Sequence, residues 1–173
     1  AGPRAAAEET WTFIRAQEFP TGYEVSVKGE ARTLGGLSGL TYANGRLMAV
    51  SDDRGSHGGG AIFSFATNKD AILPLTPVGF QEVLGPSATL KDLEAIATSP
   101  RGLFVVTEGD RRLPSPVTPE LWSLDKEGKA KTKIPLPASI APDFKGGWRN
   151  NRAMESLAPT EKGLWIGLEG GLQ

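Results

Sequence analysis

The chain lacks cysteine altogether and has a single histidine among its 173 residues. Without cysteine there are no disulfides, no thiolate nucleophiles and no zinc sites with cysteine ligands. A Ser-His-Asp triad would have to use His57, which stands in a glycine-rich loop, and no G-x-S-x-G motif is present. Thiol and serine-triad chemistry are therefore not expected.

Long apolar runs and an excess of one charge are also missing. No run approaches the roughly 18 apolar residues of a transmembrane helix, so we expect no membrane span. The formal net charge of -1 removes any general electrostatic reason to bind nucleic acid.

The start of the chain, AGPRAAAEETW, lacks Met. We interpret 1–10 as a flexible N-terminal segment left after removal of a signal peptide or a tag, and with the first of these expect a periplasmic or secreted protein.

The chain is rich in residues that form turns, with 22 glycines and 13 prolines. They separate short alternating apolar runs, a pattern that is typical of an all-β protein. Three segments repeat one pattern of strand, polar turn and strand ending in an acid: LSGLTYANGRLMAVSDDRG from Leu37, LEAIATSPRGLFVVTEGD from Leu93 and MESLAPTEKGLWIGLEGG from Met154. Each segment predicts a β-hairpin. Further strands are predicted at 61–66 and 121–125.

The repeat predicts about three blades of a β-propeller, each with four strands. Propellers close with about four to eight blades, and an open set of blades leaves apolar faces uncovered. We therefore expect 11–173 to be the N-terminal part of a larger, roughly six-bladed propeller, completed by C-terminal blades or by another chain. A self-contained β fold is the alternative.

Acidic residues occupy equivalent places in the repeats. Ser38, Glu94 and Glu155 are separated by 56 and 61 residues, and so are Asp52, Glu108 and Glu169. Symmetry about the turns predicts that Glu94 faces Glu108 across its hairpin and that Glu155 faces Glu169. Such carboxylate pairs repel unless a proton, a basic group or a cation intervenes.

A hard cation, with calcium favoured over magnesium, would explain why this arrangement repeats if the hairpins are innermost in their blades. The alternative for any single acid is a strand end, a turn cap or an ion pair with arginine. The predicted metal ligands are Asp52, Asp53, Glu94, Glu108, Glu155 and Glu169.

Several motifs in order resemble the phytase-like domain family, described as having an esterase-like activity of phytase. They are GGLSGLTY (35–42), AVSDDRG (49–55), DLEAIA (92–97), VTEGD (106–110), NNRAMESLA (150–158) and GLEGGLQ (167–173). The resemblance implies an exported bacterial β-propeller with a calcium-binding acidic centre and phosphate-ester hydrolysis. Ser38 stands where the later repeats have Glu, so the first hairpin would contribute Asp52 and Asp53.

A calcium-dependent phosphoesterase would use metal-activated water and would need no protein nucleophile. Basic and polar residues beside the acidic motifs would bind a small-molecule ester such as a phosphate ester, although each arginine could equally form a structural salt bridge. The alternatives are a non-enzymatic, calcium-stabilised propeller that binds a ligand or protein, and a metal-dependent lactonase or esterase. The predicted substrate-binding residues are Arg54, His57, Arg111, Arg112, Arg149, Asn150 and Arg152.

Overall fold

The structure is a computed structural model that describes residues 13, 15–67, 73–109, 117–137, 140 and 153–170. Within these ranges the regular elements are all strands, and no helix could span a membrane. The strands are β1 (Glu24–Val27), β2 (Glu30–Thr33), β3 (Leu37–Ala43), β4 (Arg46–Ser51), β5 (Ala61–Ala66), β6 (Thr76–Glu82), β7 (Leu93–Ser99), β8 (Gly102–Thr107), β9 (Glu120–Leu124), β10 (Ala130–Ile134), β11 (Met154–Pro159) and β12 (Leu164–Leu168).

The strands form two complete four-stranded antiparallel sheets, β3 to β6 and β7 to β10, each in sequence order. A third unit contributes the hairpin β11–β12, and β1–β2 is a separate hairpin. This confirms the all-β class and the four-stranded blades. The described residues do not close a ring.

The three predicted hairpins are confirmed. Asn44 and Gly45 join β3 to β4 with φ angles of 53° and 74°, and two central residues with positive φ are the requirement of a type I′ turn. The strand predicted at 61–66 is β5, and the strand predicted at 121–125 is β9, which begins and ends one residue earlier. The hairpin β1–β2 was not predicted.

Each of the two four-stranded sheets packs into a core on both of its faces. Alternate residues of one strand point to opposite faces, so they enter different cores. In β4, Val50 packs into the core between the two full sheets, while Ala49 packs with Phe63 and Phe65 in a core shared with the β1–β2 hairpin. A third core, which includes Phe104 and Met154, joins the second sheet to β11–β12. Face-to-face stacking of this kind is how propeller blades cover one another.

The first strands of the three repeats are the innermost, since β3 packs against β7, and β7 against β11. At the first contact, a Cβ built on Gly39 would lie 2.5 Å from the Cα of Ala95, so only glycine permits this approach of the two strands. The residues at the same end of these strands are therefore brought together.

The predicted register of the second and third hairpins is wrong along their whole length. Ser99 pairs with Gly102 and Pro159 with Leu164, so each turn is centred half a residue earlier than predicted, and a β-bulge then shifts the pairing again. Leu93 pairs with Thr107 but Ala95 pairs with Val106, so Glu94 is an extra residue with no partner in β8. The shift between Met154 and Ser156 leaves Glu155 in the same position, and β3–β4 shifts between Leu37 and Leu40. A bulge bends its strand and redirects a side chain. Glu94 and Glu155 thus do not face Glu108 and Glu169 in a ladder.

Candidate metal centre

The acidic residues of the repeats lie at matching places in the strands. Glu94 and Glu155 are the second residues of β7 and β11, on the bulges, whereas Glu108 and Glu169 directly follow β8 and β12. Asp52 directly follows β4. Because the three hairpins run in the same direction, the four glutamate side chains meet at one end. Asp52 is exposed and lies outside the carboxylate groups that they form.

Two carboxylate triads form at this end among the described residues, and they share Glu108. Asp92, Glu94 and Glu108 make the first, and Glu108, Glu155 and Glu169 make the second. In each triad one oxygen from every carboxylate lies within 4.8 Å of the others. Asp92, Glu94 and Glu108 are buried, so their negative charges are poorly solvated.

Burial and mutual repulsion raise the pKa values of the central glutamates. Desolvation raises the pKa of Glu94 to about 7, with further contributions from Asp92, Glu108 and Asp52, while a hydrogen bond with Ser38 opposes the rise. Desolvation likewise raises the pKa of Glu155 to about 7, and Glu94 and Glu108 add to it. The centre therefore favours either bound protons or a cation at neutral pH.

Glu108 is the most enclosed of these residues, with a relative exposure of 1%. Desolvation raises its pKa, although it accepts hydrogen bonds from the backbone N–H of Ala153 and from the side chain of Glu155. The bond with Glu155 requires one of the two carboxyl groups to be protonated, since ionised carboxylates only accept. The carboxyl groups of Glu108 and Glu155 therefore share a proton, and a metal ion bound by both groups would displace it.

Arg54 is the arginine paired with this cluster in the described part of the chain. Its Nε lies 2.8 Å from Asp92 Oδ1, and its Nη2 lies 3.3 Å from Glu108 Oε2. One guanidinium supplies a single positive charge against several carboxylates. These contacts are the structural salt bridges that the sequence analysis gave as the alternative role of the arginines. Substrate binding by Arg54 stays a prediction.

Asp92 belongs to the centre but was not predicted from the sequence. It has a positive φ of 57° and a relative exposure of 5%, and its carbonyl accepts the backbone N–H of Glu108. Aspartate tolerates this left-handed conformation better than most residues, and strained residues often lie at functional sites. The repeat gave no signal because Gly36 and Ala153 hold the equivalent places. The only available signal was a second acid two residues before Glu94.

Asp53 has a different role from the other predicted ligands. Its Oδ1 accepts the backbone N–H groups of Gly55 and Ser56 at 2.9 and 2.7 Å, and its Oδ2 accepts two more from His57 and Gly59, both at 2.9 Å. These bonds hold the pKa of Asp53 below its usual value against the opposing effect of burial. The carboxylate organises its own loop and stands outside both triads.

Arg32, also not predicted, completes this loop. The side chain has 6% relative exposure, lies 3.4 Å from Asp53 Oδ2 and donates to the carbonyl of Gly59. It also lies 3.4 Å from Glu82 Oε1 at the end of β6. Asp53 and Arg32 therefore fix the segment that carries Asp52 and Arg54 to the centre.

We expect Asp53→Asn to lower the free energy of unfolding by about 1–3 kcal/mol, equally in EDTA and in calcium. The side-chain NH₂ group of asparagine would face the backbone N–H groups of His57 and Gly59, which now donate to Oδ2. Urea denaturation under both conditions measures the effect. Asp125→Asn is the control, because Asp125 Oδ1 accepts two backbone N–H groups at 2.9 and 2.8 Å in an exposed turn. A loss confined to calcium would make Asp53 a ligand.

The remaining predicted substrate residues fall into two groups. His57 is exposed and lines a cleft of about 350 Å³ together with Arg32, Asp52 and Arg54. The others lie outside the residues that the structure describes: Arg111, Arg112, Arg149, Asn150 and Arg152.

The blades and their carboxylate centre define an all-β protein of the propeller type, with an oxygen-rich site at one end of its inner strands. The chain belongs to the phytase-like family, whose profile, described as esterase-like activity of phytase, matches residues 32–173. Searches of curated proteins and of solved structures found no match. The resemblance is thus confirmed, and membership supports a hydrolase-like function of the phosphoesterase-like kind.

The centre has the donor chemistry of a metal site. Its side-chain donors are carboxylate oxygens, which suit hard cations, and the two triads place them within reach of a common ion. Burial first, and neighbouring carboxylates second, raise the pKa values of Glu94 and Glu155, and a bound cation would relieve both costs. The residues present therefore fit a bound divalent cation.

Proposed function

We propose that this protein is a calcium-dependent phosphoesterase whose centre lies where the inner strands end. The observation that carries the proposal is the buried Glu108 shared by two carboxylate triads. Calcium, when bound, would supply positive charge for the phosphate oxygens and would activate water. The residues that would hold it are Asp52, Asp92, Glu94, Glu108, Glu155 and Glu169.

The chain itself orients these ligands. The hydroxyl of Ser38 contacts the carboxyl group of Glu94, and the backbone N–H of Ala153 donates to Glu108 Oε1 at 3.2 Å. Arg54 is 44% exposed beside the cluster, so its guanidinium can contact both the carboxylates and a phosphate from solvent. These contacts support a preformed site for an anionic ester.

The proposal includes export to the periplasm or the exterior. Calcium sites of extracellular modules have dissociation constants of about 10⁻⁴ to 10⁻³ M, so an exported protein needs no tighter site. The resemblance to exported family members agrees with this location.

A second candidate is a non-enzymatic propeller in which calcium only joins the blades. It is favoured by one observation: the second triad combines Glu108 of one sheet with Glu155 and Glu169 of the next. An ion there would link two sheets regardless of any chemistry.

Thermal melts of the purified chain test whether it binds calcium, and activity assays test whether it hydrolyses esters. We expect a saturable rise in melting temperature with calcium over EDTA, and a smaller rise with magnesium. Phenyl phosphate and phenyl acetate then distinguish phosphate from carboxylic ester hydrolysis. Calcium stabilisation with neither activity would favour the binding propeller, and hydrolysis of the acetate alone would favour a lactonase or esterase. No calcium response would remove the metal mechanism.

A further inference from the structure

A second, larger cleft adjoins the carboxylate centre, and we call it the inter-sheet groove. It is lined by the connection from β6 to β7, including Leu90 and Lys91, and by Val117, Trp122 and Lys133. Its volume is about 790 Å³, within the usual range of about 300–1,000 Å³ for small-molecule sites. Arg54 and Asp92 line it too, so one end of the groove meets the centre.

The cations of the groove are mostly paired. Lys133 Nζ lies 2.6 Å from Glu120 Oε1, and Arg54 is bound to Asp92 and Glu108. Lys91 is exposed and makes no ion pair with any residue in the described ranges. Its Nζ lies only 2.9 Å from where a Cβ on Gly55 would stand, which puts this ammonium beside the loop that carries Arg54. Among the described residues, Lys91 thus offers the groove a positive charge without an ion pair, close to the centre.

The rest of the wall is largely apolar. Val117 is 48% exposed and Leu90 is half-buried. Trp122 also lines the groove but is only 8% exposed, because it packs in the core between the two full sheets, and a hydrogen bond of 2.8 Å from its Nε1 to Glu120 Oε2 fixes the ring. Val117 therefore offers most of the accessible apolar surface, and the fixed ring of Trp122 loses no side-chain entropy on contact with a ligand.

We infer that the inter-sheet groove binds phosphate monoesters of apolar or aromatic alcohols, with Lys91 contacting the phosphate and Val117 and Trp122 contacting the alcohol. The described wall decides the class. It carries one cation without a described ion pair, Lys91, beside aliphatic and aromatic side chains, so it matches a single phosphate on an apolar alcohol. As a statement about substrate, the inference rests on the proposed function.

Binding of non-hydrolysable probes separates the groove from catalysis. In calcium, calorimetry should give phenylphosphonate at least about tenfold tighter binding than methylphosphonate, because only the first carries an apolar ring. Lys91→Gln should weaken both probes by a similar factor, about tenfold. Val117→Ser should weaken phenylphosphonate about threefold and leave methylphosphonate unchanged.

Matched controls come from the same chain. Val78 is 42% exposed on β6 and Lys131 is exposed on β10, and neither lines the groove. Val78→Ser and Lys131→Gln should alter neither probe, and melting temperatures establish that all variants fold. Equal binding of the two phosphonates, no binding of either, or a phenyl preference that Val117→Ser leaves intact would each overturn the groove assignment.

Hydrolysis of phenyl phosphate and glycerol phosphate is measured separately. Selective phosphonate binding without any hydrolysis would retain the groove and reject the phosphoesterase. Hydrolysis of both esters at equal kcat/KM, with equal phosphonate binding, would retain the phosphoesterase and reject the groove.

Discussion

Glutamine in place of Glu108 should remove most of the calcium-induced rise in melting temperature. Glu108 belongs to both triads, so one substitution removes a charged ligand from each. If the affinity falls a hundredfold, a calcium concentration that stabilises the wild type by about 2.7 kcal/mol stabilises the variant by only about 0.4 kcal/mol. Melts in EDTA and in graded calcium measure the difference.

In EDTA the same variant should remain close to the wild type. Relief of repulsion among the buried carboxylates offsets the loss of the contact of 3.3 Å with Arg54, which keeps its contact with Asp92. Glu30→Gln, at an exposed position of β2, is the control and should keep the full calcium response. If Glu108→Gln lost as much stability in EDTA as in calcium, Glu108 would be a structural partner of Arg54 and not a ligand.

Without calcium, the protein should become less stable as the pH rises from about 5 to about 8. The pKa of Glu94 rises from 4.5 in the unfolded chain to about 7 in the folded one. Between these values the native state binds more protons than the unfolded state, so the free energy of unfolding falls with increasing pH. For Glu94 alone the change is about 3 kcal/mol.

The loss should appear as a melting temperature lower at pH 8 than at pH 5 by on the order of 10 °C. The lowered pKa of Asp53 acts only below 3.8, outside this window. Glu94→Gln should reduce the pH dependence and raise the melting temperature at pH 8, and Glu155→Gln should act in the same direction. Equal melting temperatures at pH 5 and pH 8 in the wild type would mean that the repulsion is already neutralised.

Calcium should reverse this pH dependence. A metal ligand must lose its proton, so calcium and protons compete for Glu94 and Glu155. The stabilisation by a fixed calcium concentration is therefore expected to grow from pH 5 to pH 8. Titrations at both pH values, with dissociation constants compared, measure the competition.

The hairpins could be predicted from the sequence because turns depend on local residues, and the meeting of the acids could be predicted because the repeat marks equivalent positions far apart in the chain. Turn residues such as Asn44 and Gly45 fix where strands end, and the equal offsets between repeats fix which acids are equivalent. The family could be identified from the same segments.

The register was missed for two reasons. The turns place Ser99 opposite Gly102 and Pro159 opposite Leu164, which is not symmetric about Arg101 or Lys162. Beyond each turn a bulge adds one residue without a characteristic local motif, and it shifts Glu94 and Glu155 again. The network around Arg32 was missed for another reason. It joins residues separated by 21 and 50 positions, and no repeat marks them.

All three hairpins have a bulge near the start of their first strand, and it occurs with different residues. At this position β7 and β11 carry glutamate and β3 carries serine, yet all three ladders shift at the same place. The bulge therefore does not depend on which residue it carries. For protein engineering, the charge and donor type of the centre could be changed at the bulge positions of β3, β7 and β11 one at a time. Glu108 is different, because it belongs to both triads and its replacement alters the donors of two sheets together.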